Sequence, residues 1–571
     1  MIFQSLFQAL PMLVVEKIIE YLVGHPRNSF DDDIKRHSET KIVLYPLLSI
    51  SEIWCEAALV SICDSCEVVF NDARGVFNVN YPAWPKGVSY SGFRRERLVK
   101  RVVVTAPGWE DVCDETSREA IAWSQYEDAI FLSATNLVVK LNKSNYDPSI
   151  MDKRAILSIP TAGTVDRHKR VADFARALLR MTPAVTGVSV VAISVDTTHK
   201  SHRGLCAILV LVLHHGGVTR LDVRCKTGSL TGSLRPHIMT GLTSITHGVN
   251  ISCSPIARLA YHNAPTLKEL HIAPTGLDDW SSLITCGNLA PASYTNLVSL
   301  SMAIPNTSGG QNWTTAEGVV PFPVLSQLEI SGAYPFADDT LFRGNRETLQ
   351  RLSIPFDAIA KNELGRSGIF ERSDVRRFNP INTVLITGTP YHMPSDNLIS
   401  EQLHRILETS KALKLGYDPF YGQLFNRRVL NALYTAPSTA ILQHLTLFGL
   451  SCAIGDIISV VSALPSLVSL TSQIHGSATR IGLIPENEHP STLHERYYPL
   501  SNSFRVLHVP SVANADIGRV SIVAMQLSVV CPNFAYVDLP LELRKGFRGK
   551  ATWSSRNGPF KPYGDALRRL I

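Results

Sequence analysis

A short motif that recurs from about residue 95 onward constrains the fold most strongly. It consists of an apolar residue, two variable residues, a leucine, one variable residue and an aliphatic residue. Clear copies occupy residues 267–272, 297–302, 325–330, 349–354 and 442–447, and weaker copies occupy 218–223, 504–509 and 534–539. Because successive side chains of a strand point to opposite faces, the pattern predicts short strands that each bury the leucine and the aliphatic residue.

The spacing of the copies predicts a repeat array. The central leucines Leu270, Leu300, Leu328 and Leu352 follow one another in steps of 30, 28 and 24 residues. These steps fall near the period of leucine-rich repeats. In such arrays a single repeat cannot bury its own apolar face, and the next repeat covers it.

Helical segments alternate with the strand candidates. Apolar residues recur at helical spacing in residues 171–179, 205–215, 399–415 and 454–464. Strands separated by helices favour parallel pairing. The sequence therefore predicts an α/β fold, an irregular leucine-rich-repeat-like solenoid with parallel strands and long insertions at 273–296 and 387–441. The alternative is a conventional α/β domain whose parallel strands begin with leucine.

The N-terminal segment has a different pattern. Pro11 suits the first turn of a helix, and Gly24 suits its end. Between them Val14, Val15, Ile18, Ile19 and Leu22 recur at helical spacing. A second apolar segment runs from residue 43 to residue 59. So small a helical unit cannot hide this much apolar surface, which predicts that a partner or the following domain covers it.

Composition narrows the class of protein. At 571 residues the chain is too long for one compact core, and 45% hydrophobic with 18% charged residues is typical of a folded protein. A net charge of +6 from 55 basic and 49 acidic residues gives no reason to predict nucleic-acid binding.

The cysteines and the aliphatic runs bear on the compartment. The 10 cysteines lack the spacing of a disulfide framework, which favours reduced thiols. The longest aliphatic run, residues 205–213, is too short to span a bilayer, and the N-terminus lacks the basic start of a signal peptide. We expect a cytoplasmic or nuclear protein without membrane contact.

Motifs for catalysis or cofactor binding are missing from the sequence. It contains neither a phosphate-binding loop of the G-x-x-x-x-G-K type nor a dinucleotide-binding glycine motif. Cys63 and Cys66 form a single C-x-x-C pair, and His214 and His215 end an aliphatic helix without further ligands at metal-binding spacing. The basic cluster at 94–101 is interpreted as the polar approach to a strand at 102–104. We therefore predict a non-enzyme without metal or cofactor.

The segment from residue 7 to residue 59 resembles an F-box, in particular the F-box-like openings of a divergent group of fungal proteins. The resemblance rests on the Leu10-Pro11 pair, the apolar helix after it and the run at 47–59 that contains Trp54. It implies binding to a Skp-type adaptor protein of a cullin–RING ubiquitin ligase. The residues that would form or support this surface are Leu10, Pro11, Val14, Ile18, Ile50 and Trp54. The same group carries helix-then-strand units after its F-box, which extends the resemblance over most of the chain.

The predicted organisation has four parts. They are an F-box-like module at 1–65, a connecting segment at 66–97, the repeat array at 98–543 and a basic tail at 544–571. The array would bind an unknown substrate protein through exposed alternates of its strands, His271, Glu329, Ser353 and Thr446.

Two other functions remain open at the level of sequence. One is a repeat scaffold unrelated to ubiquitin, whose N-terminal helices only cap the array. Inward packing of Trp54 and the Val14/Ile18 face on residues 68–104 would favour it. The other is an enzyme with an unmarked site, which would need a pocket that gathers a nucleophile, a base and an oxyanion donor.

Overall fold

The computed structural model describes most of the predicted strands and helices. The described residues are 11–23, 44, 52–62, 64–71, 76–80, 98–108, 130–142, 162–192, 200–225, 238–248, 254–272, 283–284, 290–304, 320–332, 348–355, 381–387, 396–416, 423–452, 454–474, 494–495, 498–510, 524 and 526–538. The chain divides into two compact units, unit 1 (Met1–Leu283) and unit 2 (Ile284–Ile571).

Unit 1 combines helices with a mostly parallel sheet. The helices are α1 (Met12–Val23), α2 (Glu52–Ile62), α3 (Ala162–Met181), α4 (Lys200–His215) and α5 (Ser254–His262). The strands are β1 (Ser65–Asn71), β2 (Val76–Asn80), β3 (Arg101–Gly108), β4 (Asn136–Asn142), β5 (Gly187–Ala192), β6 (Arg220–Cys225), β7 (Ser244–Gly248) and β8 (Glu269–Ile272). Strands β1 and β3 to β8 pair in parallel in chain order, while β2 pairs antiparallel with β1.

Unit 2 repeats the same plan. Its strands are β9 (Ser299–Ile304), β10 (Gln327–Gly332), β11 (Arg351–Pro355), β12 (Ile381–Thr387), β13 (Ser410–Gly416), β14 (His444–Cys452), β15 (Ser469–Ile474), β16 (Val506–His508) and β17 (Tyr536–Asp538). Its helices are α6 (Asp396–Thr409), α7 (Gln423–Tyr434) and α8 (Ile454–Ala463). All nine strands pair in parallel in chain order.

The fold is thus an α/β solenoid-like arrangement of parallel strands with interspersed helices, as the motif predicts. The leucines Leu300, Leu328 and Leu352 lie opposite one another in register, and all three are buried. In unit 1, Leu270 lies opposite Ile245 and is buried as well. These four strands therefore bury the leucine that the motif assigns to the core.

A backbone hydrogen-bond pattern recurs where the strands begin. In unit 1 the carbonyl of Thr219 accepts the amides of Thr243 and Ser244, at 2.8 and 3.4 Å. In unit 2 the carbonyl of Val468 accepts the amides of Arg505 and Val506, at 2.9 and 3.2 Å. Because the same pairing recurs in most repeats, the backbone groups of the turns before the strands are satisfied and the register of each strand is set.

The predicted strands and helices are mostly confirmed. All eight copies of the motif overlap a strand that begins at the third residue of the copy, and the helices predicted at 171–179, 205–215 and 454–464 correspond to α3, α4 and α8. Helix α4 ends where Gly216 and Gly217 predict a stop, and Gly217 has a φ of +98°, which a left-handed helix end requires. The Cβ of any other residue at Gly216 would lie 2.3 Å from Leu179 Cδ1.

Three of the predicted segments differ in the structure. The helix predicted at 399–415 ends at Thr409, because the hydroxyls of Thr409 and Ser410 bond back to carbonyls of α6 and the next residues alternate as β13. The insertion predicted at 387–441 accordingly contains α6, β13 and α7. The segment predicted as a connector at 66–97 contributes β1 and β2, so the array begins before residue 98. The tail at 544–571 and most of the insertion at 273–296 lie outside the described residues.

Candidate interaction surfaces

The N-terminal helices form a small closed core. Helix α1 begins after Pro11, whose carbonyl accepts the amides of Val14 and Val15 at 2.9 and 3.2 Å. Val15, Ile19, Leu44, Trp54, Ala57 and Ala58 form one buried cluster. Trp54 is only 2% exposed, so it supports the module from inside.

The other side of α1 faces outward. Val14 is 41% exposed and Pro11 is exposed. Ile18 is half-buried and packs against the core, as does Leu98 from the segment that precedes β3. Trp54 therefore packs inward as the capping alternative requires, while Val14 faces outward as the adaptor alternative requires. Leu10 and Ile50 lie outside the described residues.

Each strand also has a side that faces away from the buried leucines. The residue between the buried leucine and the buried aliphatic residue forms what we call the outer row. In unit 2 the register aligns this row as Ser301, Glu329, Ser353, Leu385, Lys414, Thr446, Thr471, His508 and Asp538. The outer row of unit 1 ends with Thr246 and His271.

All four residues predicted to contact a substrate lie in these rows, but their exposure differs. Glu329 is exposed, and His271 and Thr446 are half-buried. Ser353 is 3% exposed, so the prediction that it is exposed is wrong. Strand β11 is buried on both faces from Leu352 to Pro355, and alternation along one strand cannot reveal that its outer side is covered.

Two carboxylates on the outer face of unit 1 have polar or charged partners on the same face. The Asp222 carboxylate accepts hydrogen bonds from the Ser189 hydroxyl at 2.9 Å and from the Arg224 guanidinium at 3.0 Å. The Glu67 carboxylate accepts the Thr105 hydroxyl at 3.1 Å and lies 3.6 Å from Lys140 Nζ. Ser189 and Thr105 each lie on the strand next to that of their carboxylate, whereas Arg224 lies on the same strand as Asp222 and Lys140 lies two strands from Glu67. The carboxylates of Asp222 and Glu67 are therefore paired within this face.

Two histidines on the outer face of unit 2 each pair with a side chain of the next strand. His508 Nδ1 lies 2.9 Å from Asp538 Oδ2, and His444 Nδ1 lies 2.8 Å from Ser469 Oγ. Partial burial lowers the pKa of His444, and the nearby His508 lowers it further. At neutral pH His444 is therefore uncharged and acts as a hydrogen-bonding group.

The described residues offer little for metal binding or nucleophilic chemistry. Within them no three His, Cys, Asp or Glu side chains gather as a metal site. Burial raises the pKa of the Cys452 and Cys531 thiols to about 12, so both remain protonated at neutral pH and are weak nucleophiles. In the same part of the chain, no helix combines the length and the apolar character needed to cross a membrane.

Comparison with known proteins gives distant structural likenesses. No family model and no curated protein matches the chain. Among solved structures, the chain is similar to one in the crystal structure of the Rad7 and Elc1 complex in yeast, with 12% sequence identity. The match covers 83% of this chain and 91% of that chain, with a TM-score of 0.29. At this TM-score the likeness supports no inference about the partners of this chain.

Proposed function

We propose that this protein is a non-catalytic substrate-recognition adaptor. Its N-terminal module binds a Skp-type adaptor protein of a cullin–RING ubiquitin ligase, and its repeat units bind a substrate protein in the cytoplasm or nucleus. The observation that carries this proposal is the exposed Val14 beside the exposed Pro11, on a helix whose opposite side is already completed by Trp54. The apolar side chain at the surface of a closed module is available to a partner.

The chain performs no bond chemistry in this role. It holds a substrate close to a ubiquitin-charged enzyme that another subunit carries, which raises the effective concentration of the reacting groups. The parallel strands supply a row of outward side chains for the substrate, among them the exposed Glu329.

A repeat scaffold without a ubiquitin link is the second candidate. The packing of Leu98 against the Val15–Trp54 cluster favours it, because the module then closes the start of the array. In this case the helices of the module only cover the array, and no adaptor binds.

The test is co-purification of the full chain with a recombinant Skp-type adaptor. Val14→Asp places a charge on the exposed side of α1 and leaves the core intact, so we expect adaptor binding to be lost without a change in melting temperature. Trp54→Ala removes the centre of the core and should cost about 3–5 kcal/mol of module stability, with binding lost through unfolding.

The control is Leu132→Asp, which introduces the same charge at a 58% exposed leucine in another part of unit 1. The Leu132→Asp variant should bind the adaptor as tightly as the wild type and should melt at the same temperature. If the wild-type chain does not bind the adaptor, or if Val14→Asp binds as well as wild type, the adaptor proposal is refuted and the scaffold remains.

A further inference from the structure

The edge at which the nine parallel strands of unit 2 begin carries positive charge without negative charge. We call it the entry edge and define it by the two residues directly before the central buried aliphatic residue of each strand. In chain order these pairs are 298–299, 326–327, 350–351, 382–383, 411–412, 443–444, 468–469, 505–506 and 535–536, and all of them belong to the described residues. At neutral pH three of these residues are cations, Arg351, Lys411 and Arg505, and none is an aspartate or a glutamate.

The three cations of the entry edge are exposed and unpaired. Among the described residues, no hydrogen bond or ion pair involves the side chain of Arg351, Lys411 or Arg505. The exposed Glu329 lies on the strand next to Arg351, two residues beyond the residue that faces Arg351 in register, and the two side chains form no ion pair. The positive charge of this edge is therefore not neutralised within the described part of unit 2.

The register of the strands fixes how far apart the cations lie. The Lys411 carbonyl accepts the amide of Gln443 at 2.7 Å, whose own carbonyl accepts the amide of Val468 at 2.7 Å. The Val468 carbonyl in turn accepts the amide of Arg505 at 2.9 Å, so Lys411 and Arg505 occupy equivalent positions three strands apart. Neighbouring strands lie about 4.8 Å apart, which separates Lys411 from Arg505 by about 14 Å and Arg351 on β11 from Lys411 on β13 by about 10 Å.

These separations match an extended chain that crosses the strands. An extended segment rises about 3.3 Å per residue. Acidic side chains at intervals of about three and four residues would therefore lie over all three cations. Complementary charge of this kind favours one orientation of the bound segment and disfavours partners with basic residues at the same positions.

The far end of the entry edge indicates that the partner is a protein. Tyr536 is 44% exposed, and its amide donates to the Arg505 carbonyl at 3.4 Å. Tyrosine and arginine are enriched at the centres of protein–protein interfaces. Nucleic acid matches the edge less well, because DNA-binding proteins hold the backbone through about six to ten phosphate contacts and this edge offers three cations.

We propose that the entry edge of unit 2 binds an extended acidic segment of a protein, whose carboxylates pair with Arg351, Lys411 and Arg505. The inference rests on the proposed function, since the segment would belong to the substrate protein. It adds the chemistry of that substrate, which is a run of acidic residues at intervals of about three and four, crossing the strands toward Tyr536.

The experiment selects peptides from a phage-displayed random library on the full chain. Peptides that bind the wild type more tightly than the triple variant Arg351→Gln, Lys411→Gln, Arg505→Gln are ligands of the entry edge. We expect them to carry two or more acidic residues at the intervals given above. Each single replacement should weaken their binding about two- to fivefold and the triple replacement about tenfold or more, since exposed ion pairs are individually weak. The melting temperature should not change, because all three side chains are exposed.

A charge swap tests the contact directly. Lys411→Glu should weaken the binding of the acidic peptides more than Lys411→Gln does. A peptide in which one acidic residue is replaced by lysine should bind the Lys411→Glu variant more tightly than the parent peptide does, and should bind the wild type less tightly. A loss of binding caused by altered folding would not be rescued in this way.

The matched control is Arg427→Glu, which reverses another exposed arginine of unit 2, on α7. It should leave peptide binding unchanged. The inference is overturned if no peptide distinguishes the wild type from the triple variant, if the distinguishing peptides lack acidic residues, or if Arg427→Glu weakens their binding as much as Lys411→Glu. Tighter binding of a labelled single-stranded oligonucleotide, lost in the triple variant, would also overturn it and assign the edge to nucleic acid.

The failure of this inference can be told apart from the failure of the proposed function. Adaptor co-purification reports on the N-terminal module in unit 1, whereas peptide selection reports on the entry edge in unit 2. A chain that binds the acidic peptides and no adaptor would refute the proposed function and not the entry edge. A chain that binds the adaptor and no acidic peptide would refute the entry edge alone.

Discussion

Asn263 shows how one buried polar side chain connects two repeats of unit 1. It lies directly after α5 and is buried. Its side-chain oxygen accepts the amide of Leu242 at 2.9 Å, and its side-chain nitrogen donates to the carbonyls of Met239 and Leu259, at 2.7 and 2.8 Å. The first two partners precede β7 and the third belongs to α5, so the amide joins the helix of one repeat to the turn of its neighbour.

Replacing Asn263 with alanine should therefore be costly. The change removes the side-chain partner of the buried Leu242 amide and of the Met239 carbonyl, whereas the Leu259 carbonyl still accepts the backbone amide of residue 263. We expect a loss of about 2–4 kcal/mol in the free energy of unfolding. Urea denaturation followed by circular dichroism measures this loss.

The control is Asn533→Ala. This asparagine is exposed and makes one side-chain hydrogen bond, to the Asn502 carbonyl at 2.7 Å. Its removal should cost less than about 1 kcal/mol. Equal losses of unfolding free energy in the two variants would show that burial does not determine how much these side-chain amides stabilise the protein.

At the scale of the element, β7 and β15 show which strands the repeat motif misses. Strand β7 has His247 where its neighbours in register have Val223 and Ile272, and β15 has Ser472 where β14 has Leu447. Both polar residues are buried. The motif requires an aliphatic residue at this position, so the strands could be found only from the pairing of their neighbours.

His247 makes the stability of unit 1 depend on pH. Its Nδ1 lies 3.3 Å from the Val223 carbonyl, and its Nε2 has no hydrogen-bond partner among the described residues. Burial lowers the pKa of His247, and this effect outweighs the opposing effects of the Val223 carbonyl and the Asp222 carboxylate. The folded state thus holds the ring neutral.

The sign of the dependence follows from this lowered pKa. Below the ordinary histidine pKa of about 6.5, the unfolded chain takes up a proton that the folded chain does not, so stability falls as the pH falls through that value. His247→Ile should remove this loss and match the aliphatic neighbours in register. We expect the drop in the free energy of unfolding between pH 7.5 and pH 5.5 to be smaller in the variant, as measured by urea denaturation at both values. An equal drop in the free energy of unfolding in the variant and the wild type would exclude His247 as a source of the pH dependence.

At the scale of the whole molecule, the sequence predicts the parts of the fold that depend on local patterns. The leucine-containing strands, the end of α4 at Gly217 and the start of α1 at Pro11 are each specified by residues close together in the chain. The surfaces are not specified by local patterns, because the residues that form them are distant from one another in the sequence. His508 and Asp538, whose side chains lie 2.9 Å apart, are 30 residues apart in the chain.

Parallel pairing in chain order also predicts how unit 2 loses stability. Among the described residues each strand of unit 2 pairs with the strands just before and after it, so a defect in one repeat should weaken its neighbours most. Leu352 of β11 is buried and lies between Leu328 and Val384 in register. We expect Leu352→Ala to cost about 2–5 kcal/mol locally and to speed amide hydrogen exchange in β10 to β12 far more than in β16 and β17.

The reciprocal variant tests whether this response is local. Leu470 of β15 is equally buried and pairs with Leu445 and Leu507. Leu470→Ala should therefore speed exchange in β14 to β16 and leave β10 and β11 nearly unchanged. If both variants instead speed amide hydrogen exchange uniformly over all nine strands, unit 2 unfolds as one cooperative unit. The stability of a repeat would then not depend mainly on its immediate neighbours.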